Sequence, residues 1–279
     1  MATTELPYEL GQLIFEYAAR LDRASIPILM RVSRLAKTWT EPFLYSAIIR
    51  HTDATEPLPA PSYSPPSERL ESYAHHVRHL LVVFHVDWDI VRDHLRLCTG
   101  LTTVSLWCHA LSPDIVDLLS RLSLRHLAVN IQELFRRELP DDYKHTLFRC
   151  VTHLEILGYD LTWEELSGLR NLPQMTHLAL NDIEDSDLVE SILESCPNLK
   201  VVVLYGDASE LPHELLANDR IISFQYPFDR YIQDWICCAE SRRCVWDEAE
   251  EGLERKVSKI GPVLRAIMHQ APDTECTSV

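Results

Sequence analysis

The sequence predicts an α/β protein: a curved solenoid of about six or seven short parallel strands alternating with helices, between an N-terminal three-helix domain and a C-terminal helical cap. That expectation comes from an apolar pattern repeated between residues 77 and 228. It also comes from the break in that pattern near Arg230 and from a separate helical rhythm in the first fifty residues. The repeat is apolar-x-x-apolar-x-apolar, seen as Val77/Leu80/Val82, Leu101/Val104/Leu106, Leu124/Leu127/Val129 and Val151/Leu154/Ile156. It continues as Met175/Leu178/Leu180, Leu199/Val202/Leu204 and Ile221/Phe224/Tyr226, with steps of 24, 23, 27, 24, 24 and 22 residues between first positions. The alternation closing each copy is the period of a short strand. One strand and one helix in so short a unit cannot bury their apolar sides alone, so neighbouring units must stack.

Helices are expected between the strands. Ser112-Pro113-Asp114 opens one, with Ile115, Leu118, Leu119 and Leu122 on one face. Thr162 and Glu165 have capping-box spacing and open a second, and Ser186 opens a third through Leu188, Val189, Ile192 and Leu193. From residue 229 the period stops. Tyr231, Ile232, Trp235 and Ile236 make one amphipathic helix. A stripe from Trp246 through Leu253, Val257, Ile260, Leu264 and Ile267 makes a second, interrupted near Gly261-Pro262. A repeat array needs its last apolar face covered, which gives these helices the role of a cap.

Residues 1–50 form a helical domain. Pro7 starts a helix carrying Leu6, Leu10, Leu13, Ile14 and Tyr17 as a stripe. Ser25 caps the next, with Ile28, Leu29, Val32, Leu35 and Trp39, and Thr40-Glu41-Pro42 opens a third with Phe43, Leu44, Tyr45 and Ile48. So small a unit buries too little to stand alone and leans on a partner or neighbour. Residues 51–76 read as a proline-rich linker, with five prolines between Thr52 and Glu68.

Composition narrows the function. Lys+Arg number 26 against 42 Asp+Glu, a net charge of −16, which disfavours nucleic acid and anionic membrane as partners. No apolar run reaches the ~18 residues of a membrane span. Met1 to Glu5 carries no signal-like stretch, so cytoplasm or nucleus is the expected compartment and free thiols the expected state of the eight cysteines. Seven glycines against sixteen prolines leave little material for phosphate loops, and no G-x-S-x-G, P-loop or G-x-G-x-x-G occurs. No cofactor and no catalytic site are expected. His213-Glu214-Leu215-Leu216-Ala217 starts like a metalloprotease helix but lacks the second His.

Two family resemblances rest on these residues. The repeated L-x-x-L-x-L pattern, over Val77 to Pro227, resembles leucine-rich repeats. The Asn or Cys such repeats place after each strand is mostly missing, with Asn181 and Cys108 the nearest equivalents. The string from Leu6 to Ile48 resembles the F-box of fungal F-box proteins through Leu6, Pro7, Glu9, Leu10, Ile14, Val32-Ser33, Trp39 and Pro42-Phe43-Leu44-Tyr45. Trp235 and the stretch from Cys244 to Glu250 look like the tail of that group. The resemblance implies docking on a Skp-type adaptor, and through it on a cullin scaffold, in an SCF-type ubiquitin ligase. The repeats would then bind an unknown target protein. It assigns adaptor contact to Leu6, Pro7, Leu10 and Ile14, with Val32 and Trp39 behind them or at the edge. Arg20, Arg23, Arg31, Arg34, Lys37 and Arg50 give this stretch a positive balance suited to an acidic partner, or are solvated helix faces. The alternative is a leucine-rich-repeat interaction scaffold not coupled to ubiquitination.

Target contact is expected on the concave sheet, at His79, Thr103, Trp107, His126, Asn130, His153, Glu155, His177, Asn181 and Tyr205, unless the C-terminal helices fold back over that face. His126, His153 and His177 share one position in consecutive repeats and should form a ladder across strands ~4.8 Å apart. No thiolate or carboxylate completes a tetrahedral set there, so no metal site is expected. Cys237, Cys238 and Cys244 read as helix-buried thiols.

Overall fold

The computed structural model describes residues 6–51, 67–84, 87–108, 110–135, 146–181, 185–206, 211–225 and 228–256. Most of the proline-rich stretch and the end of the C-terminal stripe lie outside them.

The N-terminal helices are α1 (Tyr8–Leu21), α2 (Ile26–Leu29) and α3 (Arg34–Tyr45). Their division differs from expectation. Ser33, not Thr40, caps the third helix, its hydroxyl accepting from the Ala36 N–H at 3.0 Å, and Pro42 lies within the helix. Small buried groups (Ala19, Ala36, Thr40) let the helices approach closely around the buried Ile26. Arg23 ties them to the first strand, its guanidinium donating to the carbonyls of Leu44 and Ala47.

The chain then runs β1 (Ala47–His51), α4 (Leu70–Tyr73), β2 (His79–Val83), α5 (Trp88–Leu97), β3 (Thr103–Trp107) and α6 (Ile115–Ser120). It continues through β4 (His126–Val129), α7 (Ile131–Leu134), β5 (His153–Ile156), α8 (Trp163–Leu166), β6 (His177–Asn181) and α9 (Ser186–Ser195). Last come β7 (Val201–Tyr205), α10 (His213–Leu216), β8 (Ile221–Phe224), α11 (Phe228–Ala239) and a further helix, α12, over 245–256. The strands form one sheet in sequential order, every neighbouring pair parallel. This is a parallel-sheet solenoid, one strand and one helical segment per repeat.

Eight strands are present among the described residues where six or seven were expected. The extra one is β1, which the expected boundary at residue 50 places in the helical domain. The linker is also shorter than expected, because Leu70, Tyr73 and Ala74 are buried against the first repeats and Tyr45 stacks on Tyr73 at 4.7 Å.

A shared turn sets the register. One carbonyl in each repeat accepts the first two N–H groups of the next strand: Ser46 from Arg78 and His79, Arg78 from Thr102 and Thr103, Thr102 from Arg125 and His126. Arg125, Thr152 and Thr176 repeat the arrangement down the array. The expected core positions (Leu80, Val104, Leu127, Leu154, Leu178, Val202) therefore align in the main core under the convex helices. Those helices are short and capped by side chains, Asp87, Asn130, Thr162 and Asp185 among them, with the Thr162–Glu165 capping box formed as expected.

The two described C-terminal helices, α11 and α12, pack on the sheet. They run back across the concave face of the sheet as a strap, giving three layers: convex helices, sheet and strap. Folding back over the concave face was the exception allowed for in the sequence; the rest of the expected cap, 257–279, lies outside the described residues.

Two substitutions measure these contributions. Leu154→Ala, in the middle of the array, should cost ~2–5 kcal/mol by cavity formation, read as a lowered urea midpoint. Thr162→Ala should cost ~1 kcal/mol, the value of one N-cap.

Candidate functional site

Two surfaces carry the residues singled out in the sequence. The first is the outer face of α1, α2 and the turn before α3. Leu6, Leu10, Ile14 and Val32 are 58%, 48%, 56% and 63% exposed. They are joined by Tyr8, Leu13, Tyr17, Leu21, Ile28 and Leu35, so ten of the twelve large apolar side chains exposed among the described residues lie in the first 35 positions. Pro7, also exposed, is the N-cap residue of α1. Trp39 is half-buried behind this face, edge-on to Tyr8 at 5.1 Å, its indole N–H donating to the Tyr8 hydroxyl at 3.1 Å. Exposed apolar side chains at this density are unusual on a water-facing domain. The basic residues divide. Arg31, Arg34 and Lys37 are exposed and Arg20 pairs with Glu16, but Arg23 is buried in its contacts with the Leu44 and Ala47 carbonyls. Arg50 points into the core, toward the Nε2 of His94 and the Tyr73 hydroxyl. Those two hold the fold together and do not face a partner.

The second surface is the concave sheet, and the strap fills it. Ile232, Trp235, Ile236 and Ala239 of α11 pack on Ala47, Ile49, Leu81 and Val83; Val245, Ala249 and Leu253 of α12 pack on Ala179, Val201, Val203 and Tyr205. Polar contacts fix the alignment. The Trp235 indole N–H donates to the Ser105 hydroxyl at 2.9 Å, and the Tyr231 hydroxyl to Asn181 Oδ1 at 2.8 Å. Trp107 meets Tyr231 edge-on at 5.2 Å, and Lys256 donates to the carbonyls of Leu216 and Ile221. Of the expected target-facing residues, Thr103, His177 and Tyr205 are therefore buried, and Asn181 is occupied by the strap. Asn130 is elsewhere in function, its side chain accepting from the Glu133 N–H as the cap of α7.

The expected histidine ladder is present. His126, His153 and His177 stack with ring centroids 4.1 Å apart at each step, and Trp246 stands edge-on over the last two. His177 Nε2 donates to Glu250 of α12 at 3.0 Å. Burial, and at His153 the neighbouring rings, push these imidazoles below their ordinary range, His126 and likewise His79 to about 4. They are neutral at pH 7. Burial acts the opposite way on two carboxyls at the strap–sheet junction, raising Glu155 to about 8 and Asp234 to about 7. Beside the ladder a cleft of about 570 Å³ remains open, lined by His126, His153, Arg242, Arg243, Trp246 and Asp247. Among the described residues no group of three or more His, Cys, Asp or Glu side chains is placed to hold a metal ion.

The cysteines correct one expectation. Cys238 and Cys244, expected as free thiols, are joined in a disulfide across the turn between α11 and α12, with Cα atoms 5.2 Å apart. The turn brings them into reach because Ser241 takes a left-handed φ of 54°. Cys98 and Cys108 are free and buried, their thiols pushed up to about 12 by desolvation, which makes them packing groups.

No protein-family model and no curated protein matches the chain. Among solved structures, the leucine-rich repeat-containing protein LegL7 from Legionella pneumophila is similar at 13% identity, over 67% of this chain and 71% of that one, with a TM-score of 0.37. The repeat architecture rests on the strand order and register. No helix among the described residues is long and apolar enough to cross a membrane.

The strap makes one demand on stability. Trp235→Ala leaves a cavity against Leu81 and strips the Ser105 hydroxyl of its donor, so a loss of ~3–5 kcal/mol is expected in urea unfolding.

Proposed function

We propose that this chain is the substrate-recognition subunit of an SCF-type ubiquitin ligase, with the N-terminal domain docking on a Skp-type adaptor, and through it a cullin scaffold, and the solenoid binding the target protein. The observation that carries this reading is the unpartnered apolar face of α1 and α2. In a chain of net charge −16, apolar side chains left in water at this density cost solvation free energy that a protein partner recovers. The face coincides with Leu6, Pro7, Leu10, Ile14 and Val32, the positions the F-box resemblance assigns to the adaptor, and the solenoid does not cover it. Trp39 acts from behind by holding Tyr8 in place. The chain performs no chemistry in this reading. It holds a target near a ubiquitin-conjugating enzyme, and its contribution is proximity and orientation.

Target contact falls on the surface the strap leaves open: His126, His153 and the rim of the cleft at Arg242 and Arg243. His79 and the remaining concave residues act as structure unless the strap moves.

A second reading, a leucine-rich-repeat scaffold with no tie to ubiquitination, is favoured by the strap itself, since a filled concave face leaves less surface for a target. Co-expression with a Skp-type adaptor decides between them. Wild type should elute as a one-to-one complex in size-exclusion chromatography. Leu6→Asp and Ile14→Asp should each weaken it by ~30-fold or more while leaving the melting temperature within a few degrees, because both positions are exposed. A well-folded wild-type monomer that ignores the adaptor establishes the scaffold reading.

A further inference from the structure

Glu155 is a carboxyl where the fold calls for an apolar group. It lies on the strap-facing side of β5, in register with Ala128 of β4 and Ala179 of β6. Beside Ala128 lies a cavity of about 40 Å³, partly open to solvent and lined also by Ser105 and Trp235. Glu155 Oε1 is enclosed there with no hydrogen-bond partner among the described residues. Asp234 of α11 lines the same cavity from the strap side, its carboxyl held by a backbone hydrogen bond from Val245. Two acidic groups from two layers thus line one partly open cavity, and an ionised pair there suffers both desolvation and mutual repulsion.

We infer that the strap is an acid-locked cover: protonated Glu155 and Asp234 let α11 and α12 close on the sheet, and ionisation of the pair loosens them, uncovering the concave surface. The device is independent of whether the N-terminal face takes an adaptor.

The surrounding charges determine where it works. On the strap, Glu248 and Asp247 disfavour ionised Asp234 and Arg230, paired with Glu248 at 3.3 Å, favours it. On the sheet face are His126, His153 and His177, with Glu250 on His177 and Lys200 nearby. The two carboxyls bind protons more tightly when the strap is closed than in open chain, where their values are 4.5 and 3.8. Their support for closure is whole below about pH 4, erodes as pH rises, and is gone once Glu155 itself ionises near 8. The histidines act oppositely: their closed values are lowered, so they oppose closure only as pH drops below 6.5. From about pH 7 upward, where ordinary imidazoles are mostly neutral, the carboxyls dominate the slope.

Hydrogen–deuterium exchange of the full chain at pH 6.5 and 8.0, corrected for intrinsic rates, tests this. Protection of amides in 228–256 should drop by ~tenfold or more, since one group changes closure by up to tenfold per pH unit, while β4 to β6 stay protected. Glu155→Gln removes the ionisable group at constant size and should flatten the profile. Asp234→Asn should flatten it in part and serves if the first variant does not fold. Equal strap protection at both pH values overturns the inference. So does a loss shared equally by the strands, or one that persists in the variants.

Discussion

One carbonyl per repeat accepting the first two N–H groups of the next strand is the contact on which the rest of this molecule depends. It is made by Ser46, Arg78, Thr102, Arg125, Thr152 and Thr176 in turn. Because the same turn starts β2 to β7, side chains at equivalent positions fall in rows across the sheet. That is why Leu80, Val104, Leu127, Leu154 and Leu178 stack into one core, and why three histidines become a column of rings. A shift of one residue would exchange the two faces and put Glu155 in the core. The register is fixed by burial on both sides.

That contact also explains how the N-terminal domain is attached. Ser46 is the first carbonyl in the series, and β1 is the first strand, so the helical domain flows into the sheet without a hinge. Arg23 reinforces the junction by reaching across to Leu44 and Ala47. The domain is therefore oriented by the solenoid while its apolar face stays outside. A small three-helix unit that spent its apolar residues on its own core would show no such surface. Here the fully buried apolar groups and threonine are Ala19, Ile26, Ala36 and Thr40, and most of the large apolar side chains of α1 face outward.

Much of this was legible in the sequence, and the misses share a cause. Period and alternation located β2 to β7, the Thr162 capping box and the amphipathic stripe of α11, since each is a local pattern; they found β8 three residues out of register, because Val202 pairs with Ile221 and not with Phe224. β1 escaped because the last apolar position of the motif is broken there: Tyr45 and Ile48 stand where Val77 and Leu80 do, but Arg50 pairs with Val82. The inward turn of Arg23 and Arg50 escaped because charge says nothing about direction. The strap left a signal that was readable. β2 (His-Leu-Leu-Val-Val) and β7 (Val-Val-Val-Leu-Tyr) are apolar on consecutive residues, which is the pattern of strands buried on both faces and not of a sheet with one face in water. The cysteine pair depends on a turn geometry that spacing alone does not reveal.

The distribution of polarity under the strap follows the same logic. The ends of the covered face are apolar, Leu81 and Val83 meeting α11, Val201 and Val203 meeting α12. The middle is polar, with Ser105, Glu155 and the histidines. Apolar burial at both ends supplies the attraction that holds the strap, while the central polar groups must each find a partner or remain a cost. Ser105 finds Trp235, and His177 finds Glu250. Glu155 Oε1 finds none among the described residues, so its protonation state enters the energy of closure directly. A hydrocarbon side chain at that position would make a tighter cover that ignored pH. The carboxyl makes closure of the strap depend on its protonation.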